Sequence, residues 1–261
     1  MMPLTPAVHS PSMRGFGWVS DSPDSRDHVY FASHAVLEGL PKRKDLRNWC
    51  PPAYDQKRLN SCSANAVAAA VEFDLMKERG ERVIFPSRLF LYYNTRQIEE
   101  TVKSNVGVSI RDVIKSVARQ GDCPESLWPY IEHKFRIRPP QRCYDKALRY
   151  RAVEYQRIHR SMDDFRSCLA SGSPFVFGFL AHRNFHTVVR KTGRLEMPLP
   201  GERLLGQHAV MAVGYEDSGR RFIVRNSWGR RFGKKGYFTM PCEYLLKEDL
   251  SNDFWTIRIV S

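Results

Sequence analysis

Two patterning regimes divide the chain. Residues 62–79 are Ala-rich with helical spacing, with Ser61 placed as an N-cap and Gly80 as a stop. Pro86-Ser87 opens a second predicted helix through Glu99. Ser109, with Asp112 three residues on, forms a capping-box variant that starts a third helix ending near Gly121. Further along, residues 175–180, 208–215, 222–226, 237–240 and 254–260 are short runs rich in Val, Ile and aromatics. Gly, Asp and Asn turns separate them, so they read as strands. Residues 134–151 are basic and Pro-interrupted, and read as an irregular excursion. Helices come first and strands follow. That segregation predicts an α+β protein, mainly helical over 46–150 and mainly β over 151–261, with a cleft between the halves. No internal repeat is visible.

Residues 1–45 fit neither regime. They hold five prolines with scattered Gly, Ser and Asp, and no sustained period, so they read as an extended arm. Gly15-Phe16-Gly17-Trp18 is the candidate anchor of that arm. The arm also carries Val29, Tyr30 and Phe31, more large apolar groups than a disordered tail holds. The expectation is that part of it covers the cleft; the alternative is a brace packed elsewhere on the body.

Charge and cysteine content narrow the classes. Lys plus Arg is 41 against 28 Asp plus Glu over 261 residues, a net +13. Residues 1–45 carry five of each sign, so the whole surplus sits in the body. Seven basic side chains fall in residues 134–151, either as a solvated basic face or as a site for a small anion or nucleotide. No apolar run approaches the ~20 residues of a membrane span. The start lacks a basic segment followed by an apolar one, so no signal peptide is read. The six cysteines, Cys50, Cys62, Cys123, Cys143, Cys168 and Cys242, form no CxxC, which argues against a zinc ribbon or a thioredoxin-type site. Sparse, irregular cysteines favour a reducing, cytoplasmic setting, and no metal or organic cofactor is called for.

Cys62 stands at the predicted start of the first helix, where free N–H groups and the helix dipole favour a thiolate. Taken alone, such a cysteine is more often a small buried hydrophobe. His208 opens an apolar strand 146 residues later, within the roughly 130–150 spacing of Cys/His pairs in one enzyme class. Asn226 ends the next strand, where its amide can accept from the imidazole and fix its tautomer. Trp228 can shield that bond from water. Gln56, six residues before Cys62, can join the Cys62 N–H as a second donor to a developing oxyanion.

With these residues in place, the chain resembles the papain family of cysteine peptidases. The resemblance runs through Gln56…Ser61-Cys62-Ser63-Ala64, Gln207-His208-Ala209-Val210 and Asn226-Ser227-Trp228-Gly229, over about residues 46–260. It is nearest to the compact bacterial branch, through Asp45-Leu46-Arg47 and Pro86-Ser87-Arg88-Leu89-Phe90. It implies a papain-like fold with a helical left half, a β-sheet or barrel right half, and an active-site cleft between them. Peptide or protein substrates are implied, with Gly107, Val108, Ser109 and Ile110 lining acyl-side subsites and Gly206 on the opposite wall. The pocket residue that sets side-chain preference falls near Leu250–Asp253, with Leu250, Ser251 and Asn252 as candidates. Leu59 stands where a disulfide cysteine is usual, and Ser63 where an aromatic is, so the familiar left-half disulfide is absent. The arm is far shorter than the usual helical pro-region, yet corresponds to it as a candidate inhibitor.

The reading is a cysteine endopeptidase working through a Cys-His-Asn triad and a thioester. Its rivals are a papain-fold acyltransferase or transamidase, and a polyanion-binding module in which Cys62 is incidental. An Asn rather than an Asp at 226 favours hydrolysis over acyl transfer, and RNA-binding aromatic strand motifs are absent.

Overall fold

The computed structural model describes residues 15–32, 34–79, 85–151 and 154–258. The first predicted helix is α2, Cys62–Arg79, preceded by β1 (Trp18–Val19), α1 (His34–Glu38) and β2 (Arg43–Asp45). Small side chains at Ala64, Ala66, Ala68, Ala69 and Ala70 let α2 pack closely on all sides, so its first three turns are wholly buried. Just ahead of it, the Ser61 hydroxyl pairs with Tyr130 Oη at 2.6 Å and accepts from Asn65 Nδ2 at 3.0 Å. Gly80, the expected stop, lies outside the described residues.

The next two helices follow their caps. Ser87 Oγ accepts from Phe90 N and opens α3, Arg88–Ile98. Ser109 Oγ accepts from Asp112 N at the start of α4, Ile110–Gln120, directly after β3 (Val108–Ser109). Residues 134–151 are more regular than expected. Gln141–Ala147 forms α5 behind Pro140, whose fixed φ suits a helix entry.

The β half is a seven-stranded antiparallel sheet of β4 (Glu154–Arg157), β5 (Phe175–His182), β6 (Leu204–Glu216), β7 (Arg221–Arg225), β8 (Tyr237–Pro241) and β9 (Ser251–Arg258), in the order β4-β9-β5-β6-β7-β8, with β2 paired to β6. All five expected strands are present with shifted ends. β4 and the helices α6 (Met162–Ala170), α7 (Arg190–Thr192) and α8 (Cys242–Leu246) were not anticipated. Their periods are too short to stand out from loop sequence. One face of the sheet is held by phenylalanines. Phe165 lies 4.6 Å from Phe254 and 5.3 Å from Phe175, and Phe177 stacks on Phe254 at 5.7 Å between ring centroids. Helix α2 crosses the sheet between the halves, so its N-terminus and the start of the inner run of β6 meet at one point.

Candidate active site

Cys62, His208, Asn226 and Gln56 come together where α2 meets β6 and the end of β7. His208 Nε2 lies 2.8 Å from Asn226 Oδ1, which also accepts Ser227 N at 2.8 Å. Two bonds on one oxygen hold the amide so that His208 keeps a proton on Nε2 and leaves Nδ1 free. Nδ1 has no hydrogen-bond partner. Trp228 packs 5.0 Å from the imidazole and, together with Phe185, walls the His208–Asn226 pair from solvent. Ala209 N donates to Cys62 Sγ at 3.3 Å. Ser227 Oγ donates to Gln56 Oε1 at 2.6 Å, which orients the amide and turns Nε2 toward the cleft.

The arm closes this site. Gln56 Nε2 donates to Gly15 O at 3.0 Å, besides its bond to Leu59 O. Gly17 bridges the two walls: its N donates to Gln207 O at 3.0 Å, and its O accepts from Val108 N at 2.9 Å. A Cβ on Gly17 would stand 1.9 Å from Asn60 O, so only glycine lets the arm lie this close to the mouth of α2. Phe16 turns its ring onto His208 (5.8 Å) and Trp228 (5.5 Å) and rests against Gly206. Trp18 and Val19 then pair in parallel with Val108 and Ser109 as β1 on β3. Cys62 and His208 are completely buried beneath this cover.

Burial sets the electrostatics. It pushes the Cys62 thiol up to about 11, against the pull of backbone N–H donors that include those of Ala209 and Gly17. It pushes His208 down to about 4, with only the Asn226 bond opposing. The helix N-terminus was expected to favour a thiolate. In the covered state desolvation outweighs it, and the pair stands as thiol and neutral imidazole at neutral pH.

The subsite residues divide. Val108 offers its N–H to the cleft, and Gly107 allows the arm within van der Waals range of its backbone. Gly206 lies under Phe16 on the opposite wall, as expected. Ser109 Oγ caps α4 rather than facing the cleft, and Ile110 is fully buried in the core. Beyond Val19 the arm is pinned by charge. Asp253 Oδ2 accepts both Trp18 Nε1 (3.0 Å) and Asp21 N (2.8 Å). Asp21 in turn accepts from Trp255 Nε1 (2.8 Å) and Arg111 N (3.2 Å). Arg111 and Arg157 pair with Asp27 at 2.7 and 3.3 Å, and Arg157 with Asp253 at 3.0 Å. Sequence reasoning missed Asp21, Gly178 and Asp253 as parts of one cluster. Only a glycine amid the phenylalanines of β5 hints at it, since a strand glycine often marks a close approach. Of the seven basic residues in 134–151, Lys134, Arg136 and Arg138 lie over aromatic rings of Trp128, Phe135 and Tyr144. All six cysteines are unpaired, no helix of the described residues is long and apolar enough to cross a membrane, and no metal-ligand cluster occurs among them.

A helical half and an antiparallel sheet that bring a cysteine, a histidine and an asparagine to one cleft define a thiol hydrolase of papain-like fold. The chain belongs to the papain family of cysteine proteases, whose family model matches residues 40–247. It is similar to an uncharacterized peptidase C1-like protein of Acanthamoeba polyphaga mimivirus, at 38% identity over 95% of this chain and 88% of the relative. Ananain of Ananas comosus is 30% identical over 88% of this chain and 62% of its own length. Among solved structures, xylellain, a cysteine protease from Xylella fastidiosa, superposes with a TM-score of 0.91 at 38% identity, covering 98% of this chain and 100% of that one.

Proposed function

We propose that the protein is a latent endopeptidase in which Cys62 attacks the scissile carbonyl and His208 moves the proton. His208 Nδ1 faces no partner, so it is available to take the thiol proton and later protonate the leaving amine. Asn226 keeps that ring in register, and Gln56 Nε2 with Cys62 N donates to the oxyanion. Hydrolysis then releases the thioester. Water is the acceptor favoured over an amine, since nothing in the described site is built to hold a second nucleophile.

The observation that carries latency is Gly15 O on Gln56 Nε2, where the reacting oxygen of a substrate would sit. The arm is not itself cut because it runs the wrong way. Acyl-side residues precede the scissile carbonyl in a substrate, so residue number falls on moving from the oxyanion site toward Val108–Ser109. Along the arm it rises, from Gly15 to Val19. The arm therefore occupies the donors without presenting a scissile bond in attack geometry.

The nucleophile is tested directly. Cys62→Ala is expected to abolish cleavage of small peptides with the fold retained by circular dichroism. An epoxysuccinyl thiol reagent is expected to label Cys62 alone once the arm is displaced. Labelling at Cys123 or Cys168 instead, or activity retained in Cys62→Ala, overturns the assignment. Product analysis with added amine acceptors separates hydrolysis from acyl transfer: transfer products in excess of acid favour the rival.

A further inference from the structure

The indole of Trp18 shows what the acyl-side pocket is shaped to hold. Gly178 sits between Phe177 and Phe179 on β5, and the indole fills the space above it: a Cβ built there would stand 2.0 Å from the ring. Any other residue at 178 closes the pocket. The far edge of the ring reaches Asp253, a carboxylate only 3% exposed, and gives it a 3.0 Å N–H bond. Asp253 holds a left-handed backbone, φ 58°, which Asp and Asn adopt more readily than other non-glycine residues. Its other oxygen is taken by Arg157 Nη2 at 3.0 Å. When the arm leaves, Oδ2 loses both Trp18 Nε1 and the Asp21 N–H, and is left as an open acceptor at the end of the pocket, to be buried again by whatever side chain fills it.

Resting on the peptidase reading above, we infer that this pocket selects tryptophan in the acyl part of the substrate, with Asp253 as the specificity-determining residue. Three properties exclude the competitors. Phenylalanine fills the space over Gly178 but leaves Asp253 Oδ2 unpaired, and an unsatisfied buried acceptor is costly. Leucine leaves space unfilled as well. Arginine brings a donor, but also a second guanidinium beside Arg157, which already neutralises the carboxylate; like charges there work against it. An indole supplies area, flatness and one neutral N–H at its far edge. Trp18 is the arm's own copy of that side chain, held from the opposite chain direction.

The test uses the full chain carrying Trp18→Ala, which retains every other residue of the arm and empties the pocket, with Trp18→Phe as the milder variant. Folding is checked by thermal melting. Cys62 alkylation is expected to speed up in both, more in Trp18→Ala. A peptide library varied at the acyl-side positions is expected to give kcat/KM for Trp about ten- to a hundredfold above Phe, with Arg and Leu lower still. Asp253→Asn in the same background tolerates the left-handed backbone, but Arg157 claims the amide oxygen and leaves an NH2 facing the indole. The Trp-to-Phe ratio is expected to collapse toward one. Arg preferred over Trp, a ratio near one before the Asp253 change, or a folded Trp18→Ala chain whose Cys62 is no more reactive than the wild type's, overturns the pocket assignment. Failure of the peptidase reading looks different: Cys62 reacts with the thiol reagent in Trp18→Ala, yet no peptide of any composition is cut.

Discussion

At the residue scale the site is a contest between burial and hydrogen bonding. Beneath the arm, desolvation holds Cys62 as a thiol and His208 neutral, while Asn226 and Ser227 fix ring and amide orientation without regard to charge. The frame of His208, Asn226 and Gln56 is thus fixed before charge is, while Nδ1 makes no hydrogen bond to Cys62. At pH 7 the wild-type chain is expected to alkylate Cys62 with iodoacetamide far more slowly than Trp18→Ala does, because the thiolate forms only when water returns. Equal rates with equal folding would count against burial as the cause. Gln56 offers a sharper test. If Gln56 is the oxyanion donor proposed above, Gln56→Ala in the Trp18→Ala background is expected to lower kcat about 10²–10³-fold with KM little changed. A loss confined to KM would show that the amide only positions substrate.

At the element scale, β1 is the piece on which the proposed latency turns. It is a two-residue parallel strand on β3, far too short to stay by backbone bonds alone. Its own Trp18, with Asp21 and Asp27 just beyond it, engages Asp253, Arg111, Arg157 and Trp255. Burial, then the nearby Asp253 charge, pushes Asp21 up to about 6 from its ordinary 3.8, while the Trp255 and Arg111 bonds oppose. Glu99 faces the same cluster from the end of α3 and is pushed up to about 7 by burial. A carboxyl raised in the docked state strengthens docking fully below about pH 4 and loses that contribution as the pH climbs through 6. The arm should therefore loosen as acid is neutralised, not as it is added. Cleavage of a reference peptide by the intact chain, divided by that of Trp18→Ala at each pH, is expected to rise on the order of tenfold between pH 5 and 7.5. Asp21→Asn is expected to flatten the step to what Glu99 supplies. A ratio that falls with pH would refute the sign.

At the scale of the molecule, the two halves are tied by more than α2. Arg225 of β7 lies 4.4 Å over Tyr54, donates to Pro52 O at 2.7 Å, and shares Tyr54 with Arg88 of α3. Tyr54 in turn donates to Glu72, buried inside α2. A bound aromatic between two guanidiniums, anchored to a buried carboxylate, leaves neither half able to open alone without stranding charge. Unfolding in guanidinium is accordingly expected to give one transition, with coincident midpoints by tryptophan fluorescence and far-ultraviolet circular dichroism. Trp128 reports on the helical half, and Trp228 and Trp255 on the sheet, so separate midpoints would expose independent halves.

Much of this was written locally. The caps Ser87 and Ser109, the Ala-rich run from Cys62 and the alternating aromatics of β5 needed only their neighbours, because capping and periodicity act over a few residues. The candidate chemistry rested on more than neighbours: Cys62, His208, Asn226 and Gln56 stood out by type, flanks, order and long spacing, and by the family resemblance these carry. The arm's apolar content said that it must be covered by something. What the chain order left undecided is everything that depends on residues far apart meeting. Trp18 and Asp253 are 235 positions apart, and Gln56 meets Gly15 across 41. No local pattern encodes a hydrogen bond between them, and no composition predicts that Gly178 clears room for an indole. Nor does sequence reveal that a helix N-terminus, which lowers a thiol's pKa, is overruled at Cys62 by complete burial; charge state follows solvent exclusion, and only the packed molecule fixes where water cannot go.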